Sequence, residues 1–169
     1  LDHLPQAKQR ELAAVVRILF EEFADFGGKG RQVSALPFRR IPYRESMLKY
    51  GSDKPDLRNP IEIVDVTDHF RGSGFGIFAG LVESGNVIRA IPAPGAGAGS
   101  RKFFDDMNSW ARGEGYSGLG YVNIMDGVPG GPIAMNLGEE ATAKLIAALG
   151  LGENDGVFFA AGKEGQAAK

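Results

Sequence analysis

The sequence predicts an α+β fold: a two-layer sandwich in which a mainly antiparallel sheet carries its helices on one face, preceded by an amphipathic N-terminal helix. Three observations point there. From residue 75 onward, apolar runs of strand length alternate with stretches of helical periodicity, in the order strand, strand, helix, strand, helix, strand (ββαβαβ). Glycine is about twice as frequent as average usage, at 25 of 169 residues, so tight turns are many. Ahead of all this, residues 6–24 carry an apolar stripe at helical spacing.

That stripe is Leu12, Val15, Val16, Leu19, Phe20 and Phe23, with Lys8, Gln9, Glu11 and Glu22 largely off it. Glycines follow, and residues 31–42 read as extended, because Pro37 and Pro42 push their predecessors away from helical angles. Glu45 to Tyr50 reads as a short helix stopped by Gly51. Phe75 to Val82 and Val87 to Ile91 read as a hairpin turning at Glu83-Ser84-Gly85-Asn86. Ser100 caps a helix whose face is Phe103, Phe104, Met107, Trp110 and Ala111, ended by Gly113 or Gly115. Leu119 to Met125 is the third strand. Glu139 to Leu149 is a helix stopped by Gly150, and Val157 to Ala161 is the last strand.

Composition narrows the function classes. The formal net charge of -2 offers no general attraction for a nucleic-acid backbone. With no cysteine and two histidines, the chain has neither a disulfide framework nor a thiolate or multi-histidine metal set. No apolar run approaches the roughly 20 residues that span a bilayer, and no signal-peptide pattern opens the chain, so the expectation is a cytoplasmic protein without a membrane partner.

Several stretches imitate chemistry. Gly95 to Arg101 lies between a strand and a helix, where amides and a helix dipole can hold a phosphate. Pro92 and Pro94 stiffen that lead-in, and no acidic ribose partner stands at the expected place, so it reads as a flexible approach to a helix. Replacing Gly97 and Gly99 with alanine is then expected to shift stability by about 1 kcal/mol or less. Gly74-x-Gly76-x-x-Ala79 opens a strand rather than following one and is a decoy. Asp65, Asp68 and His69 read as a short helical turn capped by Asp65 or Thr67, not an acid-base cluster. The pairs Asp105, Asp106 and Glu139, Glu140 complement helix dipoles. Trp110 reads as core and His3 as solvated. No catalytic or metal-ligating residue emerges.

The charged turn after residue 50 is different. Tyr43, Ser46 and Met47 lead into Y-G-S-D-K-P-D-L-R-N-P at residues 50–60, and this string closely resembles the bacterial-type aspartyl-tRNA synthetases. In that family the segment leaves the class II catalytic domain for a large inserted domain. The insert is an α+β sandwich shared with the archaeal-type glutamyl-tRNA amidotransferase and is called GAD after the two enzymes. Phe75-Gly-Ile-Phe-Ala-Gly80, Ser100 to Asp105, Gly118-Leu-Gly-Tyr121 and Asp155-Gly-Val-Phe-Phe159 look like that insert, so the resemblance covers about residues 37–169. Residues 1 to about 25 look more like the leader helix of small nucleotidyltransferase-like proteins, with a junction near Glu21 to Phe26.

The resemblance implies residues 1–30 as a helix of separate origin, 31–59 as a connecting segment of the catalytic domain, and 60–169 as the GAD insert. It assigns Gly51, Ser52, Asp53, Lys54, Pro55, Asp56, Leu57 and Arg58 to the exit loop as the family signature. The parent enzyme uses ATP and magnesium, takes tRNA as partner and is a homodimer; class II motifs 2 and 3 are missing here, so the fragment is expected to hold no cofactor and to be inactive alone. The alternative is a stand-alone module binding RNA or protein through a basic strip of Arg31, Arg39, Arg40, Arg44 and Lys49.

Overall fold

A computed structural model describes residues 4–28 and 32–164. The chain divides into two compact units that part between Ile41 and Pro42.

The first unit is built on α1 (Gln6–Glu22), a 3-10 turn (Ala24–Gly27) and an extended stretch over residues 32–41. α1 follows Pro5, which supplies the helix-compatible φ and no amide to satisfy. Arg17 pairs with Glu21 one turn on, at 2.7 Å, and the Arg40 guanidinium donates to Gln9 Oε1 at 2.9 Å. No described residue of this unit is buried. His3 and Arg31 lie outside the described residues.

The second unit holds a five-stranded, wholly antiparallel sheet. Its strands are β1 (Val64–Asp65), β2 (Val87–Ala93), β3 (Gly120–Met125), β4 (Val128–Gly130) and β5 (Gly156–Gly162), in the spatial order β1-β2-β5-β3-β4. Its helices are α2 (Tyr43–Tyr50), α3 (Thr67–Phe70), α4 (Gly76–Glu83), α5 (Arg101–Gly113), α6 (Pro132–Leu137) and α7 (Glu139–Leu149). The α+β class and the antiparallel sheet stand as predicted, and three details differ.

The first is Phe75 to Val82, read as a strand and found as helix α4. A run this short and apolar fits either period. What decides is burial of Phe78, Ala79 and Val82 on one side of a helix, with the Phe78 ring 4.9 Å from Phe70. The residues read as a hairpin turn are the helix exit, where Gly85 at φ 78° and Asn86 donate back to Val82 and Leu81. β2 therefore pairs with β1 and β5 instead of a preceding strand.

The second is the hairpin β3–β4. Asp126 and Gly127 both take positive φ, 51° and 79°, the type I′ chemistry that Asp-Gly signals. Asp126-Gly127 is the sequence signal for this hairpin.

The third is the placement of the helices. One sheet face presents Ile88, Ala90, Val122, Ile124, Val157 and Phe159, and packs with Val66, Phe70, Phe78, Val82, Ile133, Leu137 and Leu145 from α3, α4, α6, α7 and the residue before α3. The other face presents Tyr121 and Phe158, and there α5 lies. Its fully buried Phe104 stacks on Tyr121 at 4.3 Å between ring centres and touches Phe158 at 5.5 Å. Helices thus cover both faces. Strand alternation makes this legible afterwards: Phe158 and Phe159 are adjacent and both buried, so both faces of β5 must be covered.

Candidate functional site

The signature loop begins where α2 ends. Gly51 takes the left-handed conformation, φ 65° and ψ 15°, and its amide donates to Met47 O. Ser46, buried in α2, donates its hydroxyl to Ser52 O at 2.7 Å, and the Ser52 hydroxyl accepts the Lys54 amide at 3.0 Å. Asp56 then accepts both the amide and the guanidinium of Arg58, at 3.1 and 2.8 Å to Oδ1 and 2.5 Å to Oδ2. Those donors hold the Asp56 carboxyl down at about 2. Pro55 is half-buried and Leu57 exposed. Asn59 Oδ1 accepts the Ile61 amide, and the Ile63 amide donates to Lys49 O at 2.7 Å, which closes the loop onto its own helix.

A clasp crosses the neck of that loop. Lys49 Nζ sits 3.3 Å from both Glu45 and Glu62, and Tyr50 donates to Glu62 at 2.9 Å. The hydrogen bonds from Lys49 to Glu45 and Glu62 raise its pKa. Within the signature, only Asp53 and Lys54 are charged, exposed and, among the described residues, without an ion-pair partner. Five of the eight signature residues, Gly51, Ser52, Lys54, Asp56 and Arg58, thus take part in the hydrogen bonds that fold the loop into a knuckle.

Beside the knuckle, on the α5 side of the sheet, lies a groove of about 530 Å³ walled by Tyr50, Gly51, Ile63, Ile91, Trp110 and Leu119. Trp110, read as core, is 58% exposed at its lip. α5 turns its buried side toward Phe158 through Phe104 and Ala111, and Trp110 falls off that side.

The other imitations of chemistry resolve into structure. Asp65 accepts the Thr67 amide and hydroxyl at 2.9 and 2.6 Å. It also pairs with Arg89 at 2.5 Å; burial raises its pKa, but these partners outweigh burial and hold it low. Arg89 went unremarked in the sequence, yet it is 3% exposed, and its Nε has no hydrogen-bond partner among the described residues. A lone arginine inside the run Val87-Ile-Arg-Ala-Ile91 was the available signal. Asp68 pairs with Arg71 at 3.1 Å. Asp105 and Asp106 pair with Arg101 and Lys102. Glu140 pairs with Lys144, whose hydrogen bond and charge lower its pKa.

The glycine-rich approach to α5, expected to be a flexible lead-in, is hydrogen-bonded to the segment before β5. Asp155 accepts the Gly95 amide, and Gly97 donates to Asn154 O at 2.8 Å. A Cβ on Gly97 would stand 2.1 Å from the Ile124 carbonyl oxygen. Ser100 caps α5 as expected, accepting the Phe103 amide. Gly99 donates to Ala96 O at 2.9 Å, so the amides of Gly95, Gly97 and Gly99 are all taken up within the protein.

The model of the GAD domain family matches residues 78–169, more than half of the chain. The chain belongs to the GAD domain family. It is also 68% identical over 157 residues to the aspartate–tRNA(Asp/Asn) ligase of Zymomonas mobilis, a match of 93% of this chain and 26% of that protein. The ligases of Erythrobacter litoralis, 60% identical over 164 residues, and Novosphingobium aromaticivorans, 58% over 156, are likewise covered to 26%. This GAD chain therefore spans about a quarter of the length of these relatives. The E. litoralis match takes in 97% of the chain, so most of α1 lies inside it.

Proposed function

We propose that this GAD chain is the inserted domain and connecting segment of an aspartate–tRNA ligase that activates aspartate with ATP and magnesium and transfers it to the 3′ end of tRNA. The observation that carries the reading is the 68% identity over 93% of the chain. The ordered knuckle Gly51–Arg58 supports it, because that string is the family's exit from catalytic domain to insert. In this reading residues 31–59 connect the catalytic domain to an insert at 60–169, residues 1–30 belong to the same polypeptide, and the parent is a cytoplasmic homodimer. Among the described residues no helix is long and apolar enough to cross a membrane.

The relatives' names carry two tRNA species, and we extend that to the parent: it charges both tRNA-Asp and tRNA-Asn. Chemistry on aspartate and ATP falls to flanking segments. Within this chain the glycine loop is closed by Asp155, and no cluster of three or more acidic or histidine residues that could hold a metal forms among the described residues. The insert's part is to present a rigid body at the catalytic domain's exit.

The stand-alone RNA module is not the better reading, because two of the five cations of its basic strip are paired within the protein. Lys49 is held by Glu45 and Glu62, and Arg44 lies 3.5 Å from Glu164. The full-length polypeptide encoded by the gene carrying this chain is expected to form aspartyl-tRNA from both tRNAs with ATP and magnesium. Failure to charge either one overturns the assignment.

A further inference from the structure

The chain holds two Asp-Gly steps, and both continue into valine: Asp126-Gly127-Val128 and Asp155-Gly156-Val157. An aspartate closes most readily on the next backbone nitrogen when that residue is glycine, which has no side chain to crowd the attack and turns freely. With the same two residues after each aspartate, the steps differ in what the fold places around them.

Asp155 is pinned from several sides. Its carboxylate accepts the amides of Gly152 and Gly95, its own amide donates to Gly152 O, and its carbonyl accepts the Ile124 amide at 2.9 Å. The Gly152 amide, and after it that of Gly95, lowers the Asp155 pKa; the group so kept ionised is a poor target for a nucleophile. Gly156 is buried in the central strand, opposite Ala93 of β2 on one side and Asn123 of β3 on the other. Freeing its nitrogen means opening the sheet.

Asp126 is held by little. It is exposed, and its carboxylate has no ion-pair or hydrogen-bond partner among the described residues. The Gly127 amide reaches Glu153 O at 3.3 Å, a long bond. The turn ends in β4, the edge strand, which is three residues long; Val128 is 67% exposed, and Pro129 at the strand's middle has no amide to give. Opening this turn frees one edge strand and leaves the rest of the sheet paired.

We propose that Asp126 is a modification site at which the chain isomerises spontaneously to isoaspartate, while the fold holds Asp155 inert. The Gly127 nitrogen attacks Asp126 Cγ; the N–Cγ bond forms, the Cγ–OH bond breaks, and the amide proton leaves with the hydroxyl as water, giving a five-membered succinimide. Water then adds at the main-chain carbonyl and breaks its bond to nitrogen, so the backbone runs through Cβ and Cγ with a free α-carboxylate. No oxidant or reductant is needed.

The folded chain is aged in mildly acidic buffer, and isoaspartate is mapped by methyl transfer from a protein-isoaspartate methyltransferase followed by peptide separation. Position 126 is expected to convert at least about 10-fold faster than position 155, and in concentrated urea the two rates should converge to within about threefold. Equal rates in the folded chain overturn the proposal. So does an Asp126 that stays intact when folded yet converts in urea, since the turn is then as closed as the sheet. A rate ratio unchanged by urea overturns it as well, because the preceding sequence and not the fold then sets the difference. Asp126→Glu, whose longer side chain would need a six-membered ring, is expected to abolish methyl acceptance in the peptide that carries residue 126; acceptance that survives there places the reactive step elsewhere and sinks the assignment.

Discussion

The carboxylate of Asp155 bridges two loops: one oxygen accepts the amide of Gly95 at 2.9 Å and the other the amide of Gly152 at 2.8 Å. Sixty residues apart in sequence, Gly95 and Asp155 lock the approach to α5 against the start of β5, where β2 and β5 register Ala93 opposite Gly156. These amide donors, Gly152 first and Gly95 second, lower the Asp155 pKa.

Asp155→Asn is therefore expected to cost about 1.5–3 kcal/mol near neutral pH, because one charge-assisted bond is lost and the other weakened. The folded pKa is lowered, so this stability is present above the ordinary aspartate value of about 4 and is lost as pH falls through the folded value. Urea titrations should show the wild-type advantage shrinking below about pH 4. A gap that persists unchanged in acid contradicts the assignment.

Gly97→Ala is expected to cost on the order of 3 kcal/mol or more, correcting the sequence-based figure of about 1. Its Cβ would meet three backbone atoms, Ile124 O, Asn154 C and Asp155 O, within 2.7 Å, and none can rotate away. Gly80→Ala in α4 is the matched control: nothing lies within 4 Å of its Cβ, so a gain of about 0.5–1 kcal/mol is expected. Thermal melts of both variants decide it.

Removing Asp65 strands a buried guanidinium. Asp65→Ala is expected to destabilise by about 1–3 kcal/mol, less than for a fully buried pair because Asp65 is itself half-exposed. Replacing both partners, Asp65→Ala with Arg89→Met, should recover a large part of that loss. A double-mutant cycle showing simple additivity would disprove the coupling.

The chain by itself is expected to show no aspartate-dependent pyrophosphate exchange. That reaction needs the α-phosphate held in line with the aspartate carboxylate by preorganised cationic groups. Here Arg58 is spent on Asp56 and Lys54 stands exposed on the knuckle. An exchange signal abolished by Lys54→Ala would refute this.

By itself the sequence determined what depends on neighbours along the chain. The apolar stripe of α1, the Gly51 stop of α2, the Ser100 cap of α5, the Gly150 stop of α7 and the strand over residues 120–125 all rest on local spacing and local dihedral demands. The signature at residues 51–58 was legible for the same reason, as a contiguous string. Tertiary structure alone decided the rest. Gly76–Glu83 became a helix because Phe78 and Val82 find Phe70 and the sheet, a contact no local window contains. α5 crossed to the other face because Phe104 stacks on Tyr121. Gly97 resists a side chain because the backbone of Ile124 in β3 and of Asn154 and Asp155 ahead of β5 presses on it. Burial and close approach are properties of residues far apart in sequence, so they exist only once the chain has folded.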